Sequence, residues 1–328
     1  MTEIINVLKP HGSTMDFLAQ YGMFLLKSFT IIIAFLFLVV GVLSLGRKPK
    51  PKLEITSLNK QYDDLKHRMQ KEILGKKPEK KKKDKKDKKI KPSLYVLDFA
   101  GDIKASQVDQ LRDEITAVLS IASTEDEVVL RLDSPGGAVN GYGLAASQLQ
   151  RLRDKNIPFT VCIDKIAASG GYLMACVANK IIAAPFAIIG SIGVVAQMPN
   201  FHRWLKKNDI DMELLTAGEY KRTLTLFGEN NDKGRKKFQE DLEKIHQQFR
   251  DYVFMNRQQL DLDKVATGEH WLAIDAFDLR LVDSLKTSDE YLNEKMQTFN
   301  SYKITIHGKQ SLVSKLLKPA TKLLHPWA

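Results

Sequence analysis

The most apolar stretch of the chain runs from Ser28 to Gly46 (SFTIIIAFLFLVVGVLSLG), uncharged throughout and bracketed by Lys27 and Arg47. At about 1.5 Å of rise per residue this run spans roughly the hydrocarbon layer of a bilayer, so it predicts a single transmembrane helix. A cleaved secretory signal would have a shorter apolar region and small residues at a cleavage site. Ser-Leu-Gly-Arg-Lys follows instead, which predicts a retained anchor, with Met15 opening a more compact approach to it than Met1. Next, Leu58, Tyr62, Leu65, Met69 and Ile73 recur at steps of four and three with charges between them. That spacing predicts an amphipathic helix over 57–74, packed on a partner copy or lying along the membrane.

From Pro92 the pattern shortens. The runs 94–99 (LYVLDF), 127–132 (EVVLRL), 158–163 (PFTVCI) and 180–184 (KIIAA) read as strands. Helical stretches 106–121, 139–153 and 170–178 lie between them, and the alternation predicts an α/β domain of βαβ units. Residues 181–197 (IIAAPFAIIGSIGVVAQ) are apolar enough to resemble a second membrane span. Pro185 and the pair Gly190/Gly193, set inside an α/β pattern, predict buried strands there instead. Phe238, Leu242, Ile245, Phe249 and Tyr252 stripe a long helix, and Leu312–Leu324 is a basic apolar stretch broken by Pro319. The predicted organisation is an N-terminal segment 1–27, an anchor 28–46, a helix and linker 47–91, a catalytic domain 92–290 and a tail 291–328.

Charge changes the picture only through its location. The net charge of +11 would suggest a nucleic-acid binder, yet eleven lysines against three acidic residues lie between Lys76 and Lys91. That tract carries +8 and reads as a solvated linker extended by self-repulsion, with contact to anionic lipid as its sharper alternative. Without interleaved aromatics or a reading motif, no nucleic-acid partner is expected. The cations after the anchor favour a cytoplasmic C-terminal side. Cys162 and Cys176 sit in apolar surroundings without metal-ligand spacing and read as small buried hydrophobes.

Two glycine pairs follow predicted strands. In Asp133-Ser134-Pro135-Gly136-Gly137 the proline sets a turn, and the glycines let backbone amides approach a ligand closely. In Ala168-Ser169-Gly170-Gly171 a serine opens a helix, where the dipole and free amides favour an anion. Either motif alone is explained by a strand-to-helix turn or an N-cap. Together they place a hydroxyl beside the makings of an oxyanion hole. A nucleophilic serine needs a base. Among the histidines only His202 and His270 remain candidates; among the lysines, Lys221, Lys165 and Lys180 are not separated by sequence physics.

The order RLDSPGG, KIAASGGY, GSIGV (190–194) and TAGEYKR resembles the S49 family of serine peptidases, which includes signal peptide peptidase. The resemblance covers about residues 93–290, and the four motifs stand in family order. It implies a ClpP/crotonase-type superhelix of βαβ units behind a single N-terminal transmembrane helix. It implies Ser169 as nucleophile, Lys221 as general base, Ser191 as the serine that orients the lysine, and backbone amides of Gly136 and Gly170 as oxyanion donors. No cofactor and no metal are implied. The implied partners are polypeptide substrates, such as signal-peptide remnants or damaged envelope proteins, membrane lipid through the anchor, and identical copies in a homo-oligomeric ring. The implied location is the bacterial inner membrane, and the resemblance favours a periplasmic catalytic domain where the charge bias favours a cytoplasmic one. Two alternatives share the groove: a crotonase-type acyl-thioester enzyme, which needs no hydroxyl at 169, and an inactive scaffold that binds unfolded chains. One departure stands out. The family usually has glycine before Leu-Val-Asp near the end of the catalytic region, where this chain has Arg280. A left-handed helix terminus tolerates arginine less well.

Overall fold

The computed structural model describes residues 13–46, 52–75 and 91–307. Most of the lysine tract and the 312–324 stretch lie outside the described residues. The chain divides into two units, residues 1–52 with 307–328, and residues 53–306.

In the first unit the described helix is α1, Ser13–Gly46. Its stretch Phe17–Val39 has a mean hydropathy of 2.3 with none of it buried, and it alone among the described helices is long and apolar enough to cross a membrane. The helix starts well before the predicted Ser28. The residues between Met15 and Leu26 are themselves mostly apolar helix formers, and Lys27 alone does not break the pattern.

The second unit opens with β1 (Lys52–Ser57) and α2 (Leu58–Leu74). Ser57 Oγ accepts the Lys60 amide and Gly75, at φ 58°, ends the helix, so both caps follow the local sequence. Asn59 holds α2 in place, donating to the Met296 and Phe299 carbonyls and accepting from the Ser301 amide. Tyr62, Leu65, Met69 and Ile73 stay exposed in the single chain.

The predicted alternation follows: β2 (Ser93–Ala100), α3 (Val108–Leu119), β3 (Glu127–Asp133), α4 (Val139–Asp154) and β4 (Phe159–Ile163). After these come β5 (Ile166–Ala168), α5 (Gly170–Ala175), β6 (Lys180–Ala183), β7 (Ile188–Gly190), α6 (His202–Lys207) and α7 (Asp232–Asn256). The chain then adds α8 (Leu262–Val265), β8 (His270–Leu272), α9 (Ala273–Asp278), β9 (Ser284–Leu285), α10 (Ser288–Lys295) and β10 (Asn300–His307). The apolar run 181–197 thus contributes two short strands around Pro185 to the core, as its proline and glycines predict, while Phe186 and Val195 stay exposed.

Seven strands form one sheet in the order β1-β10-β2-β3-β4-β6-β9, and the pairs from β10 to β9 are parallel. Two of its strands, β1 and β10, lie outside the predicted 92–290 range. A parallel sheet is covered on both faces, so its strands read as continuous apolar runs rather than strict alternation. Tyr95, Leu97 and Phe99 join the main core under α3, α4 and α5, while Leu94 and Val96 face Tyr291 and Leu292 of α10. A second sheet, β5-β7-β8, pairs parallel and then antiparallel. A bridge between Ser134 and Ala167 laces the end of β3 to β5. This is an α/β fold of βαβ units, and its lacing sets the site.

Candidate active site

The two glycine motifs are brought side by side by backbone hydrogen bonds. Ser134 donates its amide to Ile166 O at 2.8 Å, and Ala168 donates to Ser134 O at 3.0 Å. The approach is close enough to require glycine: a Cβ on Gly136, at φ 89°, would stand 2.7 Å from the Gly170 nitrogen and 2.8 Å from Ser169 Cβ.

Ser169 occupies the sharp turn between β5 and α5 at φ 51°, ψ −119°. Such a backbone costs an ordinary residue about 1–3 kcal/mol and persists only where its surroundings hold it. Here the Ser169 amide donates to Gly190 O at 2.8 Å, and its carbonyl accepts from Leu173 at 2.9 Å. Its side chain makes no cap hydrogen bond, which removes the simple N-cap explanation for a serine at this position. The half-buried hydroxyl faces a cavity of about 380 Å³ lined mainly by apolar groups, among them Val139, Leu173, Val194, Ile245, Phe249 and Tyr252.

Gly170 also lines this cavity, and so does Gly137; Gly136 does not. The Gly136 amide is buried and donates to Ser134 Oγ at 3.2 Å. The amides of Gly137 and Gly170 have no acceptor among the described residues. Of the two donors that the resemblance implies, Gly170 lines the cavity, whereas Gly136 lies behind it with its hydrogen already engaged.

Ser191, at φ 51°, is half-buried and donates its amide to Glu269 O at 2.6 Å. It directly follows Gly190, so the chain places it beside the Ser169 turn. Lys221 is not brought in. It lies exposed on a surface coil, in a turn closed by its own amide on Gly218 O at 3.2 Å, and it is absent from the cavity lining. Its neighbours Glu219 and Tyr220 are held by Lys233 and Lys237 of α7. The expected burial of this lysine in the apolar groove is thus not present in the single chain. Segment 195–227 leaves its own apolar groups uncovered: Val195 is 88% exposed, Trp204 62% and Leu215 91%.

The rival bases are elsewhere. Lys165 pairs with Asp133 at 3.3 Å, and Lys180 sits over the Tyr291 ring. His270 lies opposite Gly190 in the β7–β8 pair, and His202 is on α6; neither bonds to Ser169. His246 reaches the Ile192 carbonyl at 3.2 Å. Cys162 and Cys176 are free and buried, and burial pushes both thiols up to about 12, consistent with inert core roles.

Behind Ser169, Tyr172 of α5 donates to Leu281 O at 2.9 Å. The preceding residue, Arg280, is left-handed at φ 63°, and Arg257 holds its carbonyl at 3.0 Å while pairing with both oxygens of Asp283. The position that prefers glycine is therefore real, and a neighbouring guanidinium holds it in shape.

Sequence reasoning missed Ser134, Gly137 and the α4 face of the cavity. The α4 face was legible: Val139, Tyr142, Gly143 and Ala146 recur at helical spacing directly after the first glycine pair.

A serine hydroxyl held outside any cap, between two facing glycine turns at an apolar cavity, is an arrangement suited to acyl transfer. The peptidase family S49 N-terminal pattern matches residues 16–149 and the peptidase family S49 pattern matches residues 151–301; the chain belongs to this family. Its relatives include "Probable protease SohB" of Haemophilus influenzae, 46% identical over 93% of each chain. Another is "Probable protease SohB" of Buchnera aphidicola subsp. Schlechtendalia chinensis, 48% identical over 85% of this chain and 99% of the relative. "Protease 4" of Haemophilus influenzae is 30% identical over 57% of this chain and 31% of its own length.

Proposed function

We propose that the chain is a membrane-anchored serine endopeptidase that uses Ser169 and Lys221 as a dyad. The observation that carries this reading is the Ser169 turn: a strained serine whose hydroxyl is not engaged as a cap, at the edge of an apolar cavity, beside two glycine amides without acceptors among the described residues. Ser169 Oγ attacks the peptide carbonyl as the neutral amine of Lys221 takes its proton. The amides of Gly137 and Gly170 hold the oxyanion, with Gly137 replacing the Gly136 donor expected from the resemblance. Lys221 then protonates the leaving amine, and water hydrolyses the acyl-enzyme by the same route in reverse.

Ser191, adjacent to Gly190, is positioned to orient the lysine once it arrives. Arrival requires the 195–227 segment to be covered. Identical copies meeting there would bury its apolar side chains and bring a Lys221 into a desolvated site. The apolar cavity suits substrates with apolar side chains near the cut, as in signal-peptide remnants or damaged envelope proteins. The Phe17–Val39 stretch supplies the anchor, and the bacterial origin of the relatives supports an inner-membrane location.

The test is labelling with a fluorophosphonate followed by peptide mapping. Modification at Ser169, lost together with casein hydrolysis in Ser169→Ala, supports the assignment. Hydrolysis undiminished in Ser169→Ala overturns it.

A further inference from the structure

Behind the first glycine turn lies a chain of hydrogen bonds that the proposed dyad does not use. Ser134 and Tyr142 are both fully buried, and their hydroxyl oxygens stand 2.7 Å apart. Tyr142 Oη donates to the Asp102 carbonyl at 2.8 Å. A phenol has one proton, so the proton between the two hydroxyls belongs to Ser134. The direction of the whole chain follows: Gly136 N–H to Ser134 Oγ, Ser134 O–H to Tyr142 Oη, Tyr142 O–H to Asp102 C=O.

The surroundings are shaped to admit it. A Cβ on Gly101 would fall 2.1 Å from Ser134 Oγ and 2.4 Å from Tyr142 Oη. A Cβ on Gly170 would meet the Tyr142 ring at 2.4 Å, so the same ring lies against the second glycine turn. Tyr142 thus touches the support of both Gly137 and Gly170, which line the cavity. It holds Gly136 through Ser134, and it backs Gly170 directly.

We infer that Ser134 and Tyr142 are positioning residues of the oxyanion hole. They anchor the Gly136 amide inward, which presents the next amide, that of Gly137, to the cavity beside Ser169 and Gly170. A glycine turn is free to adopt many conformations, and an amide must be held in place before the reaction to stabilise a developing charge. The hydrogen-bonded chain removes that freedom. Its loss should therefore be felt in the transition state, where the oxyanion exists, and not in ground-state binding. This inference rests on the serine-peptidase reading.

The experiment uses the full chain in detergent, comparing wild type with Tyr142→Phe, Ser134→Ala and the double variant. Active sites are titrated with fluorophosphonate, so that kcat refers to folded enzyme only. Expected are a kcat lowered at least about tenfold in each single variant and a KM within about twofold of wild type. Inhibition by a peptide aldehyde, whose adduct carries the oxyanion, should weaken by the same factor as kcat. The double variant should lose no more than the worse single one, because the residues act as one unit. Tyr142→Phe keeps the ring against Gly170, so it remains informative if Ser134→Ala does not fold. Unchanged kcat per active site in Tyr142→Phe overturns the inference, as does a loss confined to KM or to the folded fraction. Failure of the parent reading looks different: wild type itself would hydrolyse nothing, or Ser169→Ala would be as active as wild type.

Discussion

The amide of Ser169 donates to the carbonyl of Gly190 at 2.8 Å, which ties the turn of the proposed nucleophile to the residue immediately before Ser191. Two motifs twenty-odd residues apart in the sequence are thereby one object. The tie also explains how a serine keeps φ 51°, ψ −119° without glycine's freedom.

That strain is measurable. Ser169→Ala removes the nucleophile but retains the backbone conflict, whereas Ser169→Gly removes both. Relief of about 1–3 kcal/mol outweighs glycine's entropic cost of about 0.5–1 kcal/mol. Both variants should be inactive, and Ser169→Gly should unfold at the higher temperature by calorimetry.

For the proposed base, Lys221→Ala and Lys221→Arg should both abolish peptide hydrolysis, since guanidinium does not release its proton at working pH. Light scattering should give the same multiple of the protomer mass for these variants as for wild type. His202→Ala and His270→Ala should hydrolyse at near wild-type rates. A silent histidine variant beside an active Lys221→Ala would replace the dyad with a Ser–His pair.

Arg280 is exposed and left-handed, and its side chain makes no hydrogen bond or ion pair among the described residues; Arg257 grips its carbonyl instead. Arg280→Gly keeps that grip and removes the cost of a left-handed L-residue, about 1–2 kcal/mol before glycine's entropy is subtracted. A net gain of up to about 1 kcal/mol, read as a higher thermal midpoint, is expected with unchanged hydrolysis.

Glu114 is a buried carboxyl of α3. One oxygen accepts from Ile306 N and Gln110 Nε2, and the other has no partner. Burial, with Asp98 adding like charge, raises its pKa. A raised folded value means the folded state binds its proton first. Stability from this group is therefore highest below the unfolded value and is lost as pH rises through the folded one. Glu114→Gln keeps the acceptor and removes the charge. Its thermal midpoint should exceed that of wild type at about pH 8, and the gap should close as the pH falls toward about 4.

The lysine tract holds none of the site residues. Deleting 76–91 should leave hydrolysis by detergent-solubilised protein near wild type. A collapse in turnover would mean that the tract orders the site.

Much of this was legible along the chain. The N-terminal apolar helix, the strand–helix alternation and both glycine turns are local patterns, since a run of apolar residues or a Pro-Gly-Gly constrains its own neighbourhood. Ser169 could be singled out because its motif brings hydroxyl, glycines and helix start together within a few residues. Other features needed the fold. Which glycine of the first pair faces the cavity depends on a hydrogen bond to Ser134, and the order of that bond depends on Tyr142 and Asp102, set by packing across β2, β3 and α4. The place of β10 beside β2 is a long-range pairing that no local period encodes. Lys221 marks the same divide: the sequence motif names it by resemblance, but its surroundings are made by tertiary contacts, and in one chain those contacts leave it in water. Local sequence determines what a segment can do chemically, while burial, amide direction and the meeting of distant groups depend on packing summed over the whole chain.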